Sequence, residues 1–126
     1  MATLALLFWF GWNAHRIADA YASLDGRIAA SDADYALIDE AAAFSARDLV
    51  YNPPFLDRRP MRFDASAVPG GSWSPRLCEG KRVAIVGTAA LMPLNRLFGD
   101  RVRPESVGMA KARTRLRALG CTEVAL

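Results

Sequence analysis

A chain of 126 residues, 52% hydrophobic and 23% charged, has room for one packed domain and is too apolar to be disordered. Its net charge of +3 is unevenly divided: residues 1–57 hold three arginines (Arg16, Arg27, Arg47) against eight acids, a net −5, while residues 58–126 hold thirteen basic residues against five acids, a net +8. Arginine outnumbers lysine fourteen to two, which in an alanine-rich chain reads as genome composition rather than selection for phosphate binding, so nucleic acid is not among the expected partners. Two cysteines, Cys78 and Cys121, with no CxxC and no neighbouring histidine pair, exclude a structural zinc site and leave one disulfide as the available bridge.

Residues Ala2 to Trp12, ATLALLFWFGW, run eleven positions without a charge. A helix of that length rises about 16 Å against a hydrocarbon core of about 30 Å, so this stretch by itself is too short to span a bilayer. Asn13, His15, Arg16 and Asp19 end the apolar region. The absence of a basic residue before the run and of a small-residue cleavage site after it argues against a secretory signal. Leu4, Leu7, Phe8, Trp9, Phe10 and Trp12 cover every face of the helix, a pattern that demands burial all round and that a small chain has difficulty supplying. These six residues are the expected contact with lipid or a large partner, and Trp9 and Trp12 suit a membrane–water interface. A core helix of a soluble domain is the competing reading.

The helix is expected to continue to about Ala30, with Ile17, Tyr21, Leu24 and Ile28 along one stripe. Ser31 and Asp34 resemble a capping box, which predicts a second, amphipathic helix over residues 31–50 (Asp32 to Leu49) with Tyr35, Ile38, Ala42 and Leu49 inward. Asp39 and Glu40 then fall on a solvated face. Residues 51–80 read as an extended Pro/Gly-rich segment, because Asn52 to Pro75 carries five of the seven prolines and the Gly70-Gly71 pair. Phe55, Met61, Phe63 and Trp73 make that segment too apolar for a free linker and predict that it drapes over a partner. Arg58, Arg59 and Arg62 are candidates for anionic headgroups or, equally, for the acidic first half of the chain.

Residues 81–126 read as a small β-α-β-like element. Lys81 to Gly87 predicts a buried strand ending in a glycine turn, Pro104 to Leu119 a helix stopped by Gly120, and Thr122 to Leu126 a closing strand. If the two strands pair in parallel, Cys78 and Cys121 both fall near their N-terminal ends, where a disulfide is geometrically allowed. The GKRVAIVGTAALMP stretch resembles the opening of dinucleotide-binding domains. However, alanine and methionine stand at the second and third glycine positions, and Pro93 is expected to interrupt the following helix. A small α/β module holding a phosphate-bearing ligand near Gly87 and Thr88 is therefore the alternative function. No catalytic constellation, metal-ligand set or cofactor motif stands out; His15 is the single histidine.

Trp12-Asn13 at the end of the apolar run, Arg27-Ile28-Ala29 fourteen residues after Asn13, and Trp73-Ser74-Pro75 are together similar to one accessory-subunit family of mitochondrial complex I, the one also known as a cell-death regulator. The resemblance covers residues 5–76. It implies a single membrane helix running into a long polar helix and a non-catalytic role in the membrane arm of a respiratory complex. It also implies contact with other subunits and the lipid bilayer, and a mitochondrial inner membrane location. The expected architecture is accordingly mainly α: an anchor helix over residues 1–30, a second helix, a draped segment and a small C-terminal α/β element.

Overall fold

The computed structural model describes residues 2–126 apart from Gly71, Ser72, Asp100 and Val102. Its first element is a 29-residue helix, α1 (Ala2–Ala30), followed by strand β1 (Tyr35–Ile38), a 3-10 helix (Phe44–Val50) and β2 (Met61–Asp64). A second 3-10 helix (Ala65–Gly70), the one-turn α2 (Pro75–Cys78), β3 (Arg82–Val86), α3 (Thr88–Leu97), α4 (Val107–Ala118) and β4 (Thr122–Val124) complete it. The four strands form one all-parallel sheet in the order β2-β1-β3-β4, so the fold is mixed α/β, with helix predominating as expected but around a sheet that the mainly α expectation did not include.

Both faces of the sheet are covered, which is why Tyr35–Ile38 of β1 and the four residues after Arg82 in β3 are continuously apolar instead of alternating. Ala36 and Ile38 of β1 and Ala84 and Val86 of β3 point to one layer, where Leu24 and Ile28 of α1, Leu91 and Leu94 of α3, and Ala46 and Leu49 pack. Tyr35 and Leu37 of β1 and Val83 of β3 point to the other, against Met109, Ala112 and Leu116 of α4, Val68 and Trp73. The register sets Tyr35 beside Met61 and Val83, and Ile38 beside Asp64 and Val86.

The amphipathic helix expected over 31–50 does not form. Tyr-Ala-Leu-Ile fits a helical stripe through Tyr35 and Ile38 alone, but all four residues are buried, which only a strand sandwiched between two layers achieves. Ser31 and Asp34 close the preceding helix and start the sheet: Ser31 Oγ donates to the Ile28 carbonyl at 2.6 Å, and Asp34 Oδ2 accepts from the Arg82 amide at 3.1 Å. The 51–80 segment is likewise not uniformly extended, since it contributes β2, the second 3-10 helix and α2.

The C-terminal part follows the sequence pattern with two corrections. Pro93 lies inside α3 instead of ending it, at the cost of the one backbone hydrogen bond its missing N–H would have made. Helix α4 begins after Ser106, not at Pro104, because the Ser106 hydroxyl caps it by accepting from the Met109 amide at 3.0 Å. At its other end Gly120 (φ +91°) makes the left-handed turn, with the Gly120 amide donating to Arg117 and the Cys121 amide to Leu116, each at 3.0 Å. That turn delivers β4 to the sheet edge.

One helix therefore belongs to two environments. Ile28 is fully buried between α1 and the sheet, whereas Leu7, on the same helix, is 64% exposed. Ile28→Ala should cost about 2–5 kcal/mol of unfolding free energy by cavity formation, whereas Leu7→Ala should change it by less than about 0.5 kcal/mol in detergent. Denaturant titration followed by near-UV circular dichroism reads both.

Candidate functional site

At 1.5 Å per residue α1 is a rod of about 43 Å, of which only the last few turns rest on the sheet. Leu24 and Ile28 are its buried residues, so the apolar end projects away from the domain. Leu4, Leu6, Leu7, Phe8, Trp9, Phe10 and Trp12 are between 55% and 76% exposed, on every side of the helix. Asn13, where polarity resumes, turns its Nδ2 back onto the Trp9 carbonyl at 2.9 Å, and His15 pairs with Asp19 one turn on. None of the helices among the described residues is long and apolar enough to cross a membrane.

The residues expected to drape over a partner separate into two groups. Phe63 and Trp73 pack into the chain's own second layer, where Tyr35, Phe63 and Trp73 meet edge to face with centroids 5.1–6.0 Å apart; Met61 lies against the same cluster. Draping is thus corrected for these three: the parallel pairing of β2 with β1 brings Met61 and Phe63 to this layer, and Trp73, beyond the second 3-10 helix, packs on Tyr35 and Phe63. Phe55, outside any strand, is 87% exposed, with Leu56 beside it.

The basic run is used mainly within the chain. Arg59 pairs with Asp34, and Arg62 both pairs with Asp25 at 2.5 Å and donates to the Leu49 carbonyl at 3.3 Å. Arg59 and Arg62 thus meet acids of the first half of the chain, while Arg58 lines a small cleft with Asp25 and Tyr51.

Cys78 and Cys121 form a buried disulfide across the N-terminal ends of β3 and β4, with Cα atoms 4.4 Å apart. The sequence separation of 43 residues corresponds to about 4 kcal/mol of stabilisation on the chain-entropy model.

At the opposite, C-terminal ends of the strands lies what sequence reasoning missed. Asp39 follows β1 directly and is fully buried, not on a solvated face. Its Oδ2 accepts from the Ser106 amide at 2.9 Å, and its Oδ1 has no hydrogen-bond partner. An unpaired buried acceptor of this kind costs about 1–3 kcal/mol. The signal available in the sequence was the position itself, an acid immediately after a four-residue buried run. Gly87 and Thr88 lie next to it at the end of β3, at the N-terminus of α3, in a separate cleft of about 470 Å³ that also includes Arg27, Glu105 and Arg113. Among the described residues no three acidic, histidine or cysteine side chains are grouped to hold a metal ion.

The chain matches no protein-family model, no curated protein and no solved structure.

Two carboxylates carry displaced acidities. For Asp34, burial raises the pKa, but the Arg82 amide, Lys81 and Arg59 outweigh it and leave the group below its ordinary value. The hydrogen bond from Arg113 lowers Glu123; burial opposes it, and Arg117 adds to the lowering. A carboxylate with a depressed folded-state pKa stabilises the fold above its unfolded pKa and loses that contribution as pH falls through the folded value. Stability should therefore decline as pH drops below about 4. Asp34→Asn and Glu123→Gln should each be less stable than the wild type at pH 7 and approach it near pH 3, as read by urea midpoints.

Proposed function

We propose that this chain is a non-catalytic, membrane-associated accessory subunit of a membrane complex, in which residues 2–12 of α1 lie in an apolar phase made by lipid and neighbouring subunits while the α/β body stays in water. The single observation that carries this reading is the exposure of Leu4 to Trp12 on all faces of a helix whose other end is locked into the domain. Seven large side chains at roughly 1–2 kcal/mol each amount to about 10 kcal/mol of unfavourable hydration, comparable with the whole stability of a domain this size. The stretch, about 16 Å long, matches the depth of one leaflet, and Trp9 and Trp12 sit where the polar residues resume.

The buried disulfide supports a side as well as a surface. Disulfides persist where thiols are oxidised, so the α/β body is assigned to the oxidising side of its membrane; for a mitochondrial inner membrane that is the intermembrane-space face. The respiratory assignment rests on the resemblance over residues 5–76 alone.

A second reading, a small binding module for a phosphate-bearing ligand, is favoured by the Gly87-Thr88 turn at the start of α3, which lines one cleft together with Arg27. It is weakened because Arg113 in the same cleft is already held by Glu105 and Glu123.

Liposome flotation tests the preferred reading. The wild type should float with vesicles, and the double variant Leu7→Glu, Phe8→Glu should remain at the bottom while keeping the wild-type far-UV spectrum. In intact membranes Cys78 and Cys121 should resist alkylation until a reductant and denaturant are added. Vesicle-independent behaviour of both proteins, or immediate labelling of the cysteines, contradicts the proposal.

A further inference from the structure

The carboxyl end of the sheet carries a cleft that neither the apolar helix nor the disulfide explains. It lies beyond β1 and β2, has a volume of about 450 Å³, and is bordered by Asp39, Glu40, Asp64, Ser66, Ser106 and Gly108. Crevices outside the carboxyl ends of parallel strands are where open α/β sheets bind ligands. Asp39, completely buried, borders this cleft and has one carboxylate oxygen without a partner.

Its other oxygen accepts from the Ser106 amide at 2.9 Å, at the residue whose hydroxyl caps α4 by accepting from the Met109 amide at 3.0 Å. The register sets Ile38 beside Asp64, which brings the Asp64 carboxyl to the end of the neighbouring strand. There Asp64 Oδ2 accepts from the Ser66 amide at 3.3 Å and from the Ser66 hydroxyl.

The chemistry of the lining selects the ligand. It holds three carboxylates and no lysine, arginine or histidine, with Arg47 reaching only Glu40, at 3.8 Å, from outside. A phosphate or carboxylate ligand would meet uncompensated like charge. A metal ion is not served either, since among the described residues no three such side chains, these carboxylates included, come together in a way that could hold one. We propose that this cleft binds a small organic cation through its ammonium or guanidinium group, which donates to Asp39 Oδ1 and makes a second contact with Asp64. The pairing supplies the hydrogen bond that Asp39 lacks and gives it the charge-assisted form. This inference stands apart from the membrane reading and is not affected by what surrounds α1.

Isothermal titration of the full chain in detergent micelles with agmatine, which carries both cationic groups, tests it. Saturable binding to one site is expected, weakened about tenfold or more in Asp39→Asn and in Asp64→Asn. Asp64→Asn, at a half-buried position, carries the test if Asp39→Asn does not fold. The proposal is overturned if agmatine gives no saturable heat, if its affinity is unchanged in Asp64→Asn, or if calcium or neutral glucose binds in its place.

Discussion

The rest of the structure depends on the fact that a helix cannot have its two ends in the same place. Ile28 and Leu24 fill the layer between α1 and the sheet, and a rod with continuous backbone hydrogen bonds carries Leu4 to Trp12 some 20–30 Å away from that contact. The apolar end cannot fold back onto the domain without breaking the helix, and the domain keeps no uncovered sheet face for it to occupy. Within the chain Leu4 to Trp12 find no surface to bury against.

The body that holds the rod is well secured. Strands β1 and β3 are apolar on both faces and covered by helices on both, and the Cys78–Cys121 bridge closes the N-terminal ends of β3 and β4. Asp34 ties the same end together, linking the start of β1 to Arg82, Lys81 and Arg59. The carboxyl end is arranged differently: Asp39 is buried and only half satisfied, and two clefts open there. The staples thus gather at one end of the sheet and the unsatisfied Asp39 carboxylate at the other.

Much of the second half was legible from residues 81–126. The apolar run ending at Gly87, the glycine stop at Gly120 and the placement of both cysteines at strand N-termini all follow from local chemistry. The first half was not, for identifiable reasons. Tyr35 to Ile38 is too short to reveal its period, and a four-residue strand buried on both faces has none to reveal. Met61 to Asp64 lies among prolines, and its role depends on pairing with β1, twenty-odd residues earlier. Without that pairing Phe63 and Trp73 look like surface awaiting a partner; with it they are core. Asp39 went unrecognised by the same error, because a helix would have turned it to solvent.

Depth-dependent quenching of tryptophan fluorescence by brominated lipids tests the central claim most directly, using single-tryptophan versions of the chain in bilayers. Trp9 and Trp12 should be quenched, most strongly by bromines near the headgroup end of the acyl chains, and Trp73 should not. Equal quenching of all three, or none at Trp9 and Trp12, would contradict the account of α1 as one helix divided between two solvents.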